Sequence, residues 1–150
     1  MVYRFRVILD TQDDVFRDIE ILEEDTLEDF HNSIVNAFGF DGNEMAAFYI
    51  SDDEWNQGEE ISQFDLGEDL GSVRLMNETT LDSVVSKNQR KLIYVYDFLS
   101  MWTFLIELAD IAEIEDGRDY SNLKYVPAQI PADARDKEFV DYKKFHKLRK

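Results

Sequence analysis

Apolar and polar residues alternate from the start of the chain. Tyr3, Phe5, Val7 and Leu9 fall on one side of an extended segment and Arg4, Arg6 and Ile8 on the other, which predicts a strand with one strongly apolar face. Asp10-Thr11-Gln12-Asp13-Asp14 is a polar turn cluster. Val15 to Leu22 then resumes the period of two, with Arg17, Ile19 and Ile21 on one face, so the two runs read as a hairpin. The period changes at Leu27, because Leu27, Phe30, Ile34 and Phe38 recur at helical spacing and Val35 widens the stripe. Thr26 with Asp29 three residues later resembles a capping box with a shorter acid, and Gly39 supplies the stop.

Met45 to Ile50 is a short apolar run that reads as a buried strand. Ser51 to Leu70 carries eight acids with Gly58 and Gly67, and reads as a long excursion pinned by Trp55, Ile61, Phe64 and Leu66. Val73 to Met76 suggests a brief strand and Thr80 to Val85 a short capped helix. Lys91 to Phe98 and Trp102 to Ala109 carry the strongest β pattern, with Leu92, Tyr94, Tyr96 and Phe98 on one face and Trp102, Phe104, Ile106 and Leu108 on the other strand's face. Their short separation predicts an antiparallel hairpin. Beyond Ile111 the pattern weakens to an extended segment around Pro127 and Pro131 and a final short helix. With no repeats and no linker-like runs, residues 1–150 read as one domain.

Charge adds position to this pattern. The 150 residues hold 33 Asp and Glu against 16 Lys and Arg, a net charge of −17, while 44% are hydrophobic and 11 Phe, 7 Tyr and 2 Trp are present. So apolar a chain is not an acidic disordered tail, and so acidic a one is not expected to bind nucleic-acid backbones directly. The acids are clustered, since the stretch from Asp18 to Val73 contains 17 of them and no Lys or Arg. The tail from Lys143 to Lys150 is the reverse, with five Lys and Arg and no acid. The two could attract one another within or between copies. There is no cysteine, hence no disulfide and no thiolate site. Met1 to Asp10 lacks a leader pattern and no run is long and apolar enough for a membrane span, so a cytoplasmic location is expected.

Catalytic motifs are missing: there is no nucleophile elbow, phosphate-binding loop or metalloprotease motif. His31, at the edge of the helical stripe, reads first as a hydrogen-bonded structural residue, and His146 as a solvated tail residue. Asp52-x-Glu54-x-Asn56 begins like a calcium loop, but Gln57 stands where glycine is needed and Gln63 where a bidentate acid is needed. Asp52, Asp53, Glu54, Glu59 and Glu60 therefore remain only weak candidate metal ligands, and no cofactor is implied. Asp97 ends its strand on the face of Ile93 and Val95, where it either becomes a raised-pKa acid or caps the turn by accepting backbone N–H bonds. The turn Phe98-Leu99-Ser100-Met101-Trp102 has no Gly, Asn or Pro, although tight hairpins usually need them. Its bulky side chains are either covered by the C-terminal third or form a protein-binding patch.

Several of these residues together resemble the plasmid pRiA4b ORF-3-like family, over about residues 2–110. The resemblance rests on Tyr3-x-Phe5-x-Val7, Phe16-Arg17, the helix pattern Leu27-x-x-Phe30-His31-x-x-Ile34-x-x-Ala37-Phe38-Gly39-Phe40, then Phe48, Leu81, Tyr94-x-Tyr96-Asp97-Phe98 and Trp102. It implies an α+β fold: an N-terminal hairpin followed by a helix packed on a mixed or antiparallel sheet that includes a C-terminal hairpin. Leu99-Ser100 stands where many members have Gly-Asp, and Glu44 and Phe104 stand where members tend to have His. The family brings no activity with it, only a gene-context association with mobile elements.

The expected function is a non-enzymatic binding or adaptor domain for a protein partner of basic character. The acidic stretch would steer that partner and Asp97, Phe98, Leu99, Met101, Trp102 and His31 would be the candidate binding residues. The alternatives are a metal-dependent enzyme acting on nucleic acid or nucleotides that holds Mg²⁺ through acids around Asp52–Glu60 or Asp97, a nucleic-acid mimic, and self-assembly through the basic tail and acidic body.

Overall fold

A computed structural model describes residues 1–11, 15–64 and 73–115. Its order is β1 (Val2–Leu9), β2 (Val15–Leu22), α1 (Leu27–Phe38), β3 (Ala46–Ser51), β4 (Gln57–Ser62), β5 (Arg74–Leu75), β6 (Lys91–Tyr96) and β7 (Trp102–Ala112), with single 3-10 turns at Met76–Glu78 and Leu81–Ser83. All seven strands form one sheet in the order β2-β1-β7-β6-β3-β4-β5. Every neighbouring pair is antiparallel except β4 and β5, so the sheet is mixed and the class is α+β, rich in strand.

The expected hairpins form. β1 pairs with β2 from Val2↔Leu22 to Leu9↔Val15, and β6 pairs with β7 from Lys91↔Glu107 to Tyr96↔Trp102. The α1 start is a capping box in which Thr26 Oγ1 accepts from Asp29 N and the Asp29 carboxylate accepts from Thr26 N. At its end Gly39 takes φ +77°, the left-handed conformation that closes a helix and that a residue with a Cβ adopts only at a cost.

Three expectations are corrected. The first part of the expected Ser51–Leu70 excursion is sheet: after a turn around Trp55 the chain returns as β4 and pairs with β3, while residues 65–70 lie outside the described residues. Of its expected anchors Trp55 and Ile61 are buried, Phe64 is exposed, and Leu66 lies outside the described residues. The 80–85 segment forms only a 3-10 turn, because Thr80 Oγ1 bonds the Asp82 side chain instead of capping a helix. The strand ending at Phe98 stops at Tyr96, and Phe98 turns outward. The expected segments beyond residue 115, including the short helix and the basic tail 143–150, lie outside the described residues.

The main core is one buried cluster to which α1 and the strands both contribute. Leu27, Phe30, Ile34 and Val35 share a buried cluster with Phe5, Val7, Ile19, Ile21, Phe48, Tyr94, Phe104 and Ile106. Phe48, Tyr94 and Phe104 are directly paired across β3, β6 and β7, with ring centroids 4.8 and 5.6 Å apart. Phe30 from α1 lies 4.6 Å from Phe5 and 5.6 Å from Phe48. Such ring pairs add about 0.5–1.5 kcal/mol each beyond their burial. A smaller cluster of Trp55, Ile93, Val95 and Leu105 occupies the other face.

The acidic block of the sequence is partly neutralised in space. The β1–β2 register sets Arg4 opposite Glu20 and Arg6 opposite Asp18, giving ion pairs at 3.2 and 2.8 Å. Glu59 meets Arg74 and Asp53 meets Lys91. A run without cations along the chain is therefore not a surface without cations.

Gly58 is the tightest of the described glycines. A Cβ built there meets the Ile50 carbonyl oxygen at 2.6 Å, at the irregular step of the β3–β4 ladder. Gly58→Ala is expected to lower the unfolding free energy by about 1–3 kcal/mol, read by urea denaturation, because backbone rather than a flexible side chain must move. An unchanged midpoint would refute this close approach.

Candidate functional site

The apolar turn stands at one end of the sheet. Asp97 and Met101 both adopt left-handed backbone, at φ +62° and +54°, which is costly for side chains other than Gly, Asn and Asp. Hydrogen bonds hold the strained shape: Met101 N donates to Asp97 O at 2.6 Å, and Asp97 N donates to Met45 O at 2.8 Å. Asp97 Oδ1 accepts from Leu99 N at 3.1 Å and Ser100 N at 3.5 Å. Of the two roles open to Asp97, the geometry is that of the turn cap.

The consequence is an outward display of apolar side chains. Leu99 is 96% exposed, Met101 55%, Phe98 42% and Trp102 40%. Beneath them lies a support drawn from the loop after α1. Phe40 stacks on Tyr96 at 4.6 Å with planes 12° apart, and its ring lies 5.7 Å from Trp102 and 5.9 Å from Phe104. Tyr96 OH donates to Asp41 Oδ1 at 3.0 Å and accepts from Gly42 N at 3.1 Å and Glu44 N at 3.4 Å. Bonds from Asn43 N and Tyr96 OH hold the Asp41 carboxyl below the usual carboxylate range, so it is an anion at neutral pH. Asp41 and Glu44 are exposed and make no ion pair among the described residues.

Phe40, Asp41 and Tyr96 carry this site together; none of them was assigned to it from the sequence, and only the helix end holds a local signal for one. An apolar residue directly after a C-terminal glycine commonly folds back onto the helix, and Phe40 follows Gly39. Asp41 and Tyr96 are 55 residues apart and share no local signal.

His31 is not part of this surface. It is buried on α1, with Nδ1 2.6 Å from Tyr94 OH and Nε2 3.4 Å from Gln63 Nε2. Gln63 Oε1 accepts from Ala46 N at 3.0 Å, which turns its NH2 toward His31 and makes Nε2 the acceptor. The imidazole proton then sits on Nδ1 and donates to Tyr94. Burial also pushes the Tyr94 phenol well above its ordinary pKa.

The loop acids are not gathered. Asp52 is occupied with its own turn, accepting from Glu54 N, Asn56 N and Asn56 Nδ2. Glu60 accepts from Ser62 Oγ, while Glu59 and Asp53 face cations. Among the described residues no three His, Asp or Glu side chains converge as a metal site would need. No helix among them is long and apolar enough to cross a membrane.

Comparison with known proteins agrees with this fold. A family model described as plasmid pRiA4b ORF-3-like protein matches residues 1–147, well past the 2–110 expected from the sequence motifs. The crystal structure of a protein of unknown function from Methanosarcina mazei Go1, MM3350, superposes with a TM-score of 0.68 at 18% identity. That match covers 79% of this chain and 65% of the other, so this chain spans under two thirds of its neighbour's length. No curated protein matches the chain.

His31 gives this architecture a pH signature. Desolvation lowers its pKa from the ordinary value, so the unfolded chain, titrating near ~6.5, takes up a proton that the fold refuses. Stability is therefore full above about pH 6.5 and is lost as pH falls toward the depressed folded value. In His31→Gln the pH dependence of urea midpoints between about pH 7 and 5 should flatten relative to wild type; equal slopes would contradict the neutral buried imidazole.

Proposed function

The chain belongs to the plasmid pRiA4b ORF-3-like protein family, and we propose that it is a non-enzymatic binding domain whose partner is another protein. In this reading α1 packs across the sheet as support, and the turn from Asp97 to Trp102 is the contact. One observation carries it: Leu99, Met101, Phe98 and Trp102 are held in the open by a turn that tolerates a left-handed methionine, Met101. Folding alone would favour glycine at Met101 and a polar residue at Leu99. A turn backbone already fixed by hydrogen bonds has little backbone entropy to lose on contact, which favours a binding hot spot. Acids without a cation among the described residues, such as Asp41 and Glu44, would add long-range attraction for a basic partner.

Three measurements test the reading. A photo-crosslinking residue in place of Leu99 should give a discrete heteromeric adduct in cells, and one in place of exposed Asn88 should not. Adducts at both positions, or at neither, would overturn it. Met101→Gly should raise stability by up to about 1 kcal/mol by relieving the left-handed strain, while weakening capture of that partner. A single substitution that strengthens the fold and weakens the contact separates a binding role from a structural one. With the captured partner in hand, the association rate should fall as salt rises, since the Debye length is only about 8 Å at physiological ionic strength. A salt-independent rate would remove the steering role of the acids.

A further inference from the structure

We infer that the tip recognises a basic, apolar segment of its partner, seating an apolar side chain on Leu99 and Met101 and a Lys or Arg side chain between the Trp102–Phe40 rings and the Asp41 carboxylate. This rests on the binding reading above and specifies its chemistry.

The argument comes from a pattern that the molecule itself repeats. Twice it sets a cation against an aromatic ring and a carboxylate together. Arg6 lies 4.3 Å from the centre of Phe16 and pairs with both Asp18 oxygens at 2.8 Å. Lys91 lies 5.2 Å from the centre of Trp55 and 3.8 Å from Asp53. The ring face attracts the cation, the carboxylate neutralises it, and the alkyl stem covers apolar surface. At the tip the first two parts recur. Trp102 is partly exposed and held from behind by Phe40, with planes 49° apart, and Asp41 is fixed beside Tyr96, on which Phe40 stacks. Residues 39–45 and 97–103 contain no Lys or Arg, and among the described residues no cation pairs with Asp41 or lies over Trp102.

The other kinds of occupant fit less well. An acidic segment would face Asp41, Glu44 and Asp97 with like charge. A wholly apolar segment would strip water from Asp41 without replacing it, which is costly for a carboxylate. A nucleic-acid backbone would be repelled. Only a segment with both apolar and cationic side chains satisfies Leu99 and Asp41 at once.

Peptide titration of the isotope-labelled full chain tests this. The probes are acetyl-KLLRKLLRK-amide, its charge-reversed form acetyl-ELLEELLEE-amide, and acetyl-KSSRKSSRK-amide, which keeps the charges and lacks the leucines. The first should shift the Trp102 indole N–H, identified by its loss in Trp102→Phe, together with the amides of residues 41–44 and 97–102. The other two should bind about tenfold more weakly or not at all. Asp41→Asn, which keeps an oxygen for Tyr96, and Leu99→Ser should each weaken the first peptide about threefold or more. The peptide comparison leaves the protein unaltered, so it does not depend on how either variant folds. Equal binding of the charge-reversed peptide overturns the inference. So do shifts confined to the Asp52–Glu60 loop, or tip amides that move with chain concentration alone, which would make a second copy the occupant. If these fail while crosslinking at position 99 still captures a partner, the cation specificity falls and the binding reading stands. If both fail, both fall.

Discussion

The structure depends on a row of aromatic rings laid across the middle of the sheet. Phe48, Tyr94 and Phe104 sit side by side on β3, β6 and β7, and Phe30 bridges from α1 to Phe48 and to Phe5 on β1. Each fully buried Phe contributes about 1.5–3 kcal/mol relative to exposure. Those four strands come from the beginning, middle and end of the described chain, so the row is what fixes long-range topology. The Tyr94 phenol is the row's only polar group, and His31 supplies the partner it needs without bringing in charge.

The same row extends outward to the sheet end. Phe104 contacts Phe40, Phe40 stacks on Tyr96 and leans on Trp102, and Trp102 closes the turn that carries Leu99. The apolar surface at the tip is therefore continuous with the core. A rigid base explains how a turn without glycine, containing two left-handed residues, can persist: the hydrogen bonds from Met101 to Asp97 and from Asp97 to Met45 are made on a scaffold that does not yield. Local strain of this kind commonly accumulates where a surface has work other than stability.

Much of the fold was legible from residue spacing. β1, β2 and α1 combine a clean period with a polar turn or a capping box, and β6 and β7 show the clean period alone; each of those signals is local. β4 was hidden because Gln57-Gly58-Glu59-Glu60 has no apolar alternation; it becomes a strand by pairing with β3, not by its own preference. The charge pattern misled for a related reason, since ion pairs follow strand register, and Arg4 and Arg6 neutralise acids that lie beyond the next turn. At the candidate site, the missing turn residues between Phe98 and Trp102 were a true signal of an unusual hairpin. The role of Phe40 and Asp41 was not visible, because it arises only when Tyr96 arrives from far along the chain. His31 read from the sequence both as a hydrogen-bonded helix residue and as a binding candidate. The structure buries it against Tyr94, away from the tip, a placement that a helical stripe does not reveal because it shows burial but not depth.

The central claim is that the apolar tip is held in place by the fold before any partner arrives. Native-state hydrogen exchange on the full chain tests it most directly, at the Asp97 and Met101 amides. Both donate within the turn's own scaffold, so they should be protected to an extent comparable with neighbouring β6 amides such as Tyr94. Exchange of Asp97 and Met101 at the rate of an unstructured chain, with β6 still protected, would show that the tip is a loose loop and would contradict the account.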